Sequence, residues 1–318
     1  MTADTSVDLL PGFSAQSLQG RDAQLFIRTG GRGPPVLLLH GYPQTHVCWH
    51  RLAPLLAEQF TVVVCDLPGY GGSRVSSVRT NEGSYSKRAM AAACLGAMKQ
   101  LGFDHFSVAG HDRGARVAYR LALDHPSHIE RLAVLSILPT FAMWQHLKDN
   151  DYALQAFRWF FLAQPAPLPE MLIIPSALPY LHATLAAWTA DKNLSPFSAD
   201  ALAAYETAFA RPEAVTATCR EYRAGWTHDR EADERDLAAG RKISCPTLVL
   251  WGRAEFAEQA VMLDAWKSLC ADLDPRSRAF DCGHFLPEEA PEDTVSALLH
   301  FFFVGGHGQR SSVKHQQK

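Results

Sequence analysis

The chain has 318 residues, 47% of them hydrophobic and 20% charged, with a formal net charge of −3. That balance suits one large α/β domain carrying an insertion, or two domains, with enough apolar material for a sizeable core. It supplies no basic field for a nucleic-acid partner, and no apolar run reads as long enough to cross a membrane.

The opening MTADTSVDLLPGF lacks the basic start and apolar stretch of a secretory leader. The seven cysteines, Cys48, Cys65, Cys94, Cys219, Cys245, Cys270 and Cys282, form no CxxC pair. Such an odd, unpatterned set is expected as reduced thiols in a cytoplasmic protein, and it argues against a zinc site.

Segments 24–28 and 36–39 read as strands around a Gly-Gly-Arg-Gly-Pro-Pro turn. The second runs into His40-Gly41-Tyr42-Pro43, after which 49–56 has helical spacing. A strand ending in His-Gly sets the backbone N–H of Tyr42 over the sheet edge, although His40-Gly41 alone also fits an ordinary tight turn. A further strand, 60–65, is closed by the Gly- and Pro-rich loop 66–73, which lacks the GxxxxGK pattern of a phosphate cradle. Segment 86–101 has a good helical pattern.

The decisive stretch is FSVAGHDRGAR, from Phe106 to Arg116. An apolar run meets a Gly-His-Asp-Arg-Gly turn, and helical spacing resumes over 117–123. A sharp strand-turn-helix of this kind lifts the central side chain, Asp112, above the sheet. A carboxylate there can attack a saturated carbon, displace a leaving group and form an alkyl ester that water must cleave. On its own, the pentapeptide also fits a surface turn in which Asp112 pairs with Arg113.

Segment 129–138 reads as a strand ending at Pro139. The strand-helix rhythm then stops: 141–162 is aromatic and helical, 164–169 is a proline-broken linker, and 181–190, 199–209 and 212–224 read as helices. The charged run 228–236 reads as a solvated stretch. Segment 246–250 resumes the sheet and leads to Trp251-Gly252-Arg253-Ala254-Glu255; a helix over 260–269, a strand over 278–280, Asp281-Cys282-Gly283-His284-Phe285 and a helix over 287–303 follow. This alternation predicts a mainly parallel sheet covered on both faces. Residues 1–139 and 238–304 are expected to form the core, 140–237 a helical cap over the C-terminal sheet edge, and 305–318 a disordered tail.

The motifs HGYPQTHVCWHRLAP, DLPGYGGS, GHDRGARVAYRLALDHP, FLAQPAPLPE, EYRAG and GHFLPEEAP together resemble a fluoroacetate or haloacetate dehalogenase of the α/β-hydrolase superfamily, over nearly the whole chain. The resemblance implies an α/β-hydrolase fold with an inserted cap, Asp112 as nucleophile and His284 as the base that activates water. Arg113 and Arg116 would hold the substrate carboxylate, and the N–H groups of Tyr42 and Arg113 would stabilise the oxyanion. Two guanidinium groups beside an attacking carboxylate also offset the repulsion between two anions.

Two positions depart from the family pattern. Ser136 stands where an aspartate usually orients the histidine. Glu255 occupies the place other α/β-hydrolases use for their acid, so it is expected to orient His284; otherwise it faces solvent, and Ser136 or water holds the imidazole. At the halide pocket Trp159 and Tyr222 carry over, while Arg158 replaces a histidine and either binds the halide or turns outward.

The activity implied is hydrolysis of a small 2-haloacid, such as haloacetate or fluoroacetate, to glycolate and halide. It needs water and no cofactor or metal, in a homodimer of the kind the resemblance suggests. An epoxide hydrolase using the same Asp and His with Tyr152, Tyr180, Tyr205 or Tyr222 as acids is the nearest rival. A non-catalytic protein that binds small carboxylates is the third reading.

Overall fold

Runs such as PVLLL, TVVVC and TLVLWG have no polar alternation, and each becomes a strand buried almost throughout. The computed structural model describes residues 8–76, 81–256 and 258–303. The tail expected from residue 305 lies outside the described residues.

Nine strands form a single sheet among the described residues: β1 (Ser14–Gln19), β2 (Ala23–Gly31), β3 (Pro35–Leu39), β4 (Thr61–Cys65), β5 (Arg74–Val75), β6 (Phe106–His111), β7 (Ile129–Leu135), β8 (Thr247–Gly252) and β9 (Arg278–Phe280). Their order is β1-β2-β4-β3-β6-β7-β8-β9, with β5 paired to β2. From β4 to β9 every pairing is parallel, whereas β1 and β5 run antiparallel to β2 and β2 antiparallel to β4. The central strands β3 and β6 therefore bring Leu39 and His111 to the same C-terminal edge, where the chain turns.

Several elements differ from the sequence reading. Strand β7 stops at Leu135, three residues short of the expected end, because Ser136 adopts a φ of 54° and leaves the strand conformation. The helical stretch 141–162 is three short helices, Thr140–His146, Asn150–Gln155 and Arg158–Phe161, the second started by the Asp149 carboxylate accepting from Tyr152 N–H at 2.9 Å. The proline-broken linker 164–169 runs into the helix Leu168–Ile173, in whose first turn Pro169 forfeits no intrahelical bond. Helical spacing over 49–56 resolves into the 3-10 turn His46–Trp49 and the single turn Ala53–Leu56.

The charged run 228–236 is solvated only in part: His228, Glu231, Glu234 and Arg235 are exposed, but on the helix Arg230–Ala238 Asp233 and Asp236 are buried against the core. Arg120 pairs with both: its Nη2 lies 2.5 Å from Asp233 Oδ1, and its Nη1 donates to Asp236. The Tyr119 hydroxyl donates to Asp233 Oδ2 at 2.8 Å. These partners stand 113 and 116 residues earlier in the chain, so the neutralisation of the run was invisible locally.

One correction concerns membrane-spanning length. Leu168–Trp188 is a 21-residue helical stretch long and apolar enough, by length and composition, to cross a bilayer. It arises where the helices Leu168–Ile173 and Ala177–Trp188 join through a 3-10 turn at Ile174–Ser176.

Close packing beneath the β6 turn depends on Gly114. A Cβ there would meet Leu39 O at 2.3 Å and His40 O at 2.4 Å, both rigid backbone. Gly114→Ala is therefore expected to cost roughly 1–3 kcal/mol of stability, read as a lower midpoint in urea with an unchanged slope. An unchanged midpoint would mean that helix and strand separate freely here.

Candidate active site

The β6 strand ends at His111, and the helix Arg113–Asp124 begins one residue later. Asp112 bridges them with φ 48° and ψ −114°, a conformation that costs a non-glycine residue about 1–3 kcal/mol. The strain holds its carboxylate above the C-terminal sheet edge. Gly41 makes the close approach possible, since a Cβ there would lie 2.4 Å from the Asp112 Cβ.

The Tyr42 N–H donates to Asp112 Oδ1 at 2.8 Å. His40 fixes the turn that aims this donor: its Nδ1 donates to Gly41 O at 2.9 Å, and its Nε2 accepts from Leu67 N–H at 3.0 Å. The histidine of the His-Gly turn thus has a structural task next to the carboxylate.

His284 approaches from the loop after β9. Its Nε2 is 3.8 Å from Asp112 Oδ2, and its Nδ1 is 2.8 Å from Glu255 Oε2. The backbone is pinned on both sides, as His284 N–H donates to Trp188 O at 2.9 Å and its carbonyl accepts from His111 Nε2 at 2.8 Å. Burial pushes the His111 imidazole down to about 3, so it stays neutral and serves as a donor.

The charges of the three groups are coupled. Burial opposes protonation of His284, but the Glu255 charge and hydrogen bond, with Asp112, outweigh it and raise the imidazole above its ordinary value. Burial also works against the Asp112 anion, yet His284 and Arg113 hold that carboxyl low. Glu255 is shifted up because desolvation dominates there. Ser136 is buried, its Oγ has no hydrogen-bond partner among the described residues, and it makes no contact with the imidazole of the kind Glu255 makes.

A cavity of about 370 Å³ opens over this trio, with Arg116, Arg158, Trp159 and Tyr222 in its wall. Arg116 donates from Nη1 to Leu138 O and Thr140 Oγ1, both at 3.1 Å, and its guanidinium lies 4.6 Å from the Trp159 ring centre. Arg113, read as its companion, is not in the wall. Its guanidinium carbon sits 3.4 Å from the Tyr222 ring centre and 4.7 Å from that of Trp159, and its Nε is 3.7 Å from Glu221. Glu221 is itself held by Lys87 at 2.6 Å and by the Tyr70 hydroxyl.

Residues 34–291 match the family model for the alpha/beta hydrolase fold, most of the chain's length. The chain belongs to the alpha/beta-hydrolase family. Among curated proteins, this hydrolase is 38% identical over 294 residues to a fluoroacetate dehalogenase from a Burkholderia species, covering 92% of this chain and 95% of that one. It is 32% identical over 276 residues to a soluble epoxide hydrolase from Corynebacterium sp. strain C12, covering 86% and 92%. Among solved structures, an alpha/beta hydrolase from Nostoc sp PCC 7120, assigned provisionally, superposes with a TM-score of 0.85 at 45% identity, covering 91% of this chain and 98% of that one.

The hydrolase cavity sorts the candidate phenols. Tyr152 and Tyr222 line it, whereas Tyr205 donates to Glu288 elsewhere and Tyr180 stacks on Phe209. Neither Tyr180 nor Tyr205 is among the residues lining this cavity. Sequence reasoning missed Trp188, which lines the cavity 5.1 Å from the His284 ring centre, and the Lys87–Glu221 pair behind Arg113. Lys87 carried a weak signal as a basic residue on a buried helix face; Trp188, at the end of an apolar helix, carried none.

Proposed function

We propose that the protein hydrolyses a carbon–halogen bond in a small 2-haloacid through an ester on Asp112. The observation that carries this reading is a strained carboxylate with one oxygen on the Tyr42 N–H and the other 3.8 Å from an imidazole that Glu255 holds at 2.8 Å. Its place as an ionised, positively surrounded group suits attack on carbon, not proton transfer alone.

In the first step an Asp112 oxygen bonds to the α-carbon and the halide leaves with its electron pair. Arg116 holds the substrate carboxylate, supported from behind by the charge of Arg113. Trp159 and Tyr222 donate to the departing halide. In the second step His284 takes a proton from water, and the hydroxide attacks the ester carbonyl. The N–H groups of Tyr42 and Arg113 stabilise the oxyanion until the alcohol leaves. For a haloacetate the products are glycolate, halide and a proton.

The experiment combines halide release from fluoroacetate, chloroacetate and bromoacetate with intact mass measurement of His284→Asn. The expected result is release by the wild type and a stable adduct on Asp112 in the variant, whose hydrolytic step lacks its base. Normal turnover by His284→Asn would remove this mechanism.

A second reading, epoxide hydrolysis, is favoured by Tyr152 and Tyr222, which burial keeps protonated as donors beside the same Asp112. The epoxide hydrolase relative adds support. Release of a diol from a neutral epoxide without halide release from any haloacid would decide for it. An absence of adduct with both classes, while small carboxylates still bind, would favour a non-catalytic binder.

We further propose a cytoplasmic homodimer. Buried, unpaired thiols at all seven cysteines fit a reducing compartment, and exposed apolar side chains at Met171 and Leu172 fit a self-association face.

A further inference from the structure

Buried cations here are generally matched by carboxylates. Lys87 meets Glu221 at 2.6 Å, Arg120 meets Asp233 at 2.5 Å, and Arg223 meets Glu170 at 2.8 Å. Two buried guanidiniums, Arg116 and Arg158, form no ion pair among the described residues, and both line the cavity.

Arg158 does not turn outward. It is 7% exposed, its Nε donates to Thr184 Oγ1 at 3.2 Å, and its guanidinium carbon lies 5.3 Å from the Trp188 ring centre and 4.7 Å from that of Phe157. Trp188 in turn packs against His284, while Arg116 is fixed on the Trp159 side. The two cations thus rest against different aromatic rings, Trp188 and Trp159, of one cavity that Asp112 also lines. Lys192 adds a third positive group to its lining.

A buried charge without a counter-ion is costly, and an anion delivered by the ligand offsets that cost. A haloacetate brings one carboxylate and satisfies one guanidinium. It also fills only part of a cavity of about 370 Å³.

We propose that Arg158 receives a second carboxylate, so that the preferred substrate is a short dicarboxylate carrying its halogen on the carbon next to the carboxylate held by Arg116. This rests on the dehalogenase reading above. The chemistry is the same: Asp112 forms a C–O bond as the C–halogen bond breaks, and water cleaves the ester. A 2-hydroxydicarboxylate, halide and one proton result. Arg158 is a specificity-determining residue for that reaction, and its position at the former halide histidine changes the substrate class.

The test measures halide release by the full-length protein from 2-chlorosuccinate, 2-chlorobutanoate and chloroacetate, at one pH and ionic strength. Chlorobutanoate keeps the four-carbon skeleton and lacks only the second charge. The expected kcat/KM for chlorosuccinate exceeds that for chlorobutanoate by about 10- to 100-fold, the size of one charge-assisted hydrogen-bonded pair. In Arg158→Gln that ratio falls to about one, and Arg158→Lys keeps part of it. Calorimetric titration with succinate and butanoate, run on the wild type in parallel, is expected to show the same preference. A wild-type ratio near one, or a ratio unchanged in Arg158→Gln, overturns the assignment. Halide release from none of the three overturns the dehalogenase reading instead, and the succinate against butanoate comparison then decides the role of Arg158 alone.

Discussion

Replacing Asp112 by asparagine is expected to lower turnover by roughly 10⁴-fold or more and to abolish the covalent adduct. The amide is neutral and a poor nucleophile, so no ester forms for water to cleave. The substitution is also conservative where the fold is concerned. Asparagine tolerates positive φ better than most residues, and its side-chain oxygen still accepts from the Tyr42 N–H that now binds Asp112 at 2.8 Å. Halide release and intact mass together read the outcome, with circular dichroism as the folding control. Residual turnover within about tenfold of the wild type would mean that water attacks the substrate directly, with His284 as base and Asp112 only as a neighbour.

Glu255→Gln is expected to lower kcat by about 10⁴-fold, the size of the loss when an orienting carboxylate is removed from such a triad. Its pH profile separates orientation from mere packing. On the proposed mechanism His284 acts as a base when neutral, and Glu255 raises its proton affinity. The wild-type rate should therefore fall as pH drops through a value above the ordinary 6.5 of histidine. Glutamine keeps the shape and a hydrogen-bonding group but removes the negative charge, so the acid limb moves to lower pH while the maximum rate falls. If neither the limb nor kcat moved, Glu255 would be a bystander and Ser136 or water would hold the imidazole. Ser136→Ala, by contrast, is expected to change kcat less than about threefold, because its Oγ holds no partner.

Much of the core was legible because its signals are local. The runs at 36–39 and 246–250 become strands buried almost throughout, and the turns after them carry the Gly or His residues that the site uses. Strand β1 was not read because it lies at the sheet edge, buries no residue fully and sets only Leu18 against the core. The run 228–236 was misread for the opposite reason, since its carboxylates look solvated until Arg120 is placed against them.

The site divides in the same way. Asp112, Tyr42 and His284 sit on turns whose residue types announce them. Which wall a side chain faces is a tertiary fact. Arg113 and Arg116 differ by less than one helical turn, yet Glu221 and Tyr222 draw one behind the wall and leave the other at the cavity. Tyr180 and Tyr205 likewise read as equal to Tyr152 until packing assigns them elsewhere.

The helix Arg113–Asp124 does two jobs along twelve residues. Asp112 immediately precedes its first turn, which carries Arg113 and Arg116, and its later turns carry Tyr119 and Arg120, which grip Asp233 and Asp236 of the helix Arg230–Ala238. A helix this short behaves as a rigid rod, so the helix Arg230–Ala238 and the Asp112 carboxylate share one ruler. Loosening the far end would misplace the reacting groups by fractions of an ångström before the protein came apart. Damage to that distant anchor would then surface as slow chemistry in a protein that still melts as a single unit.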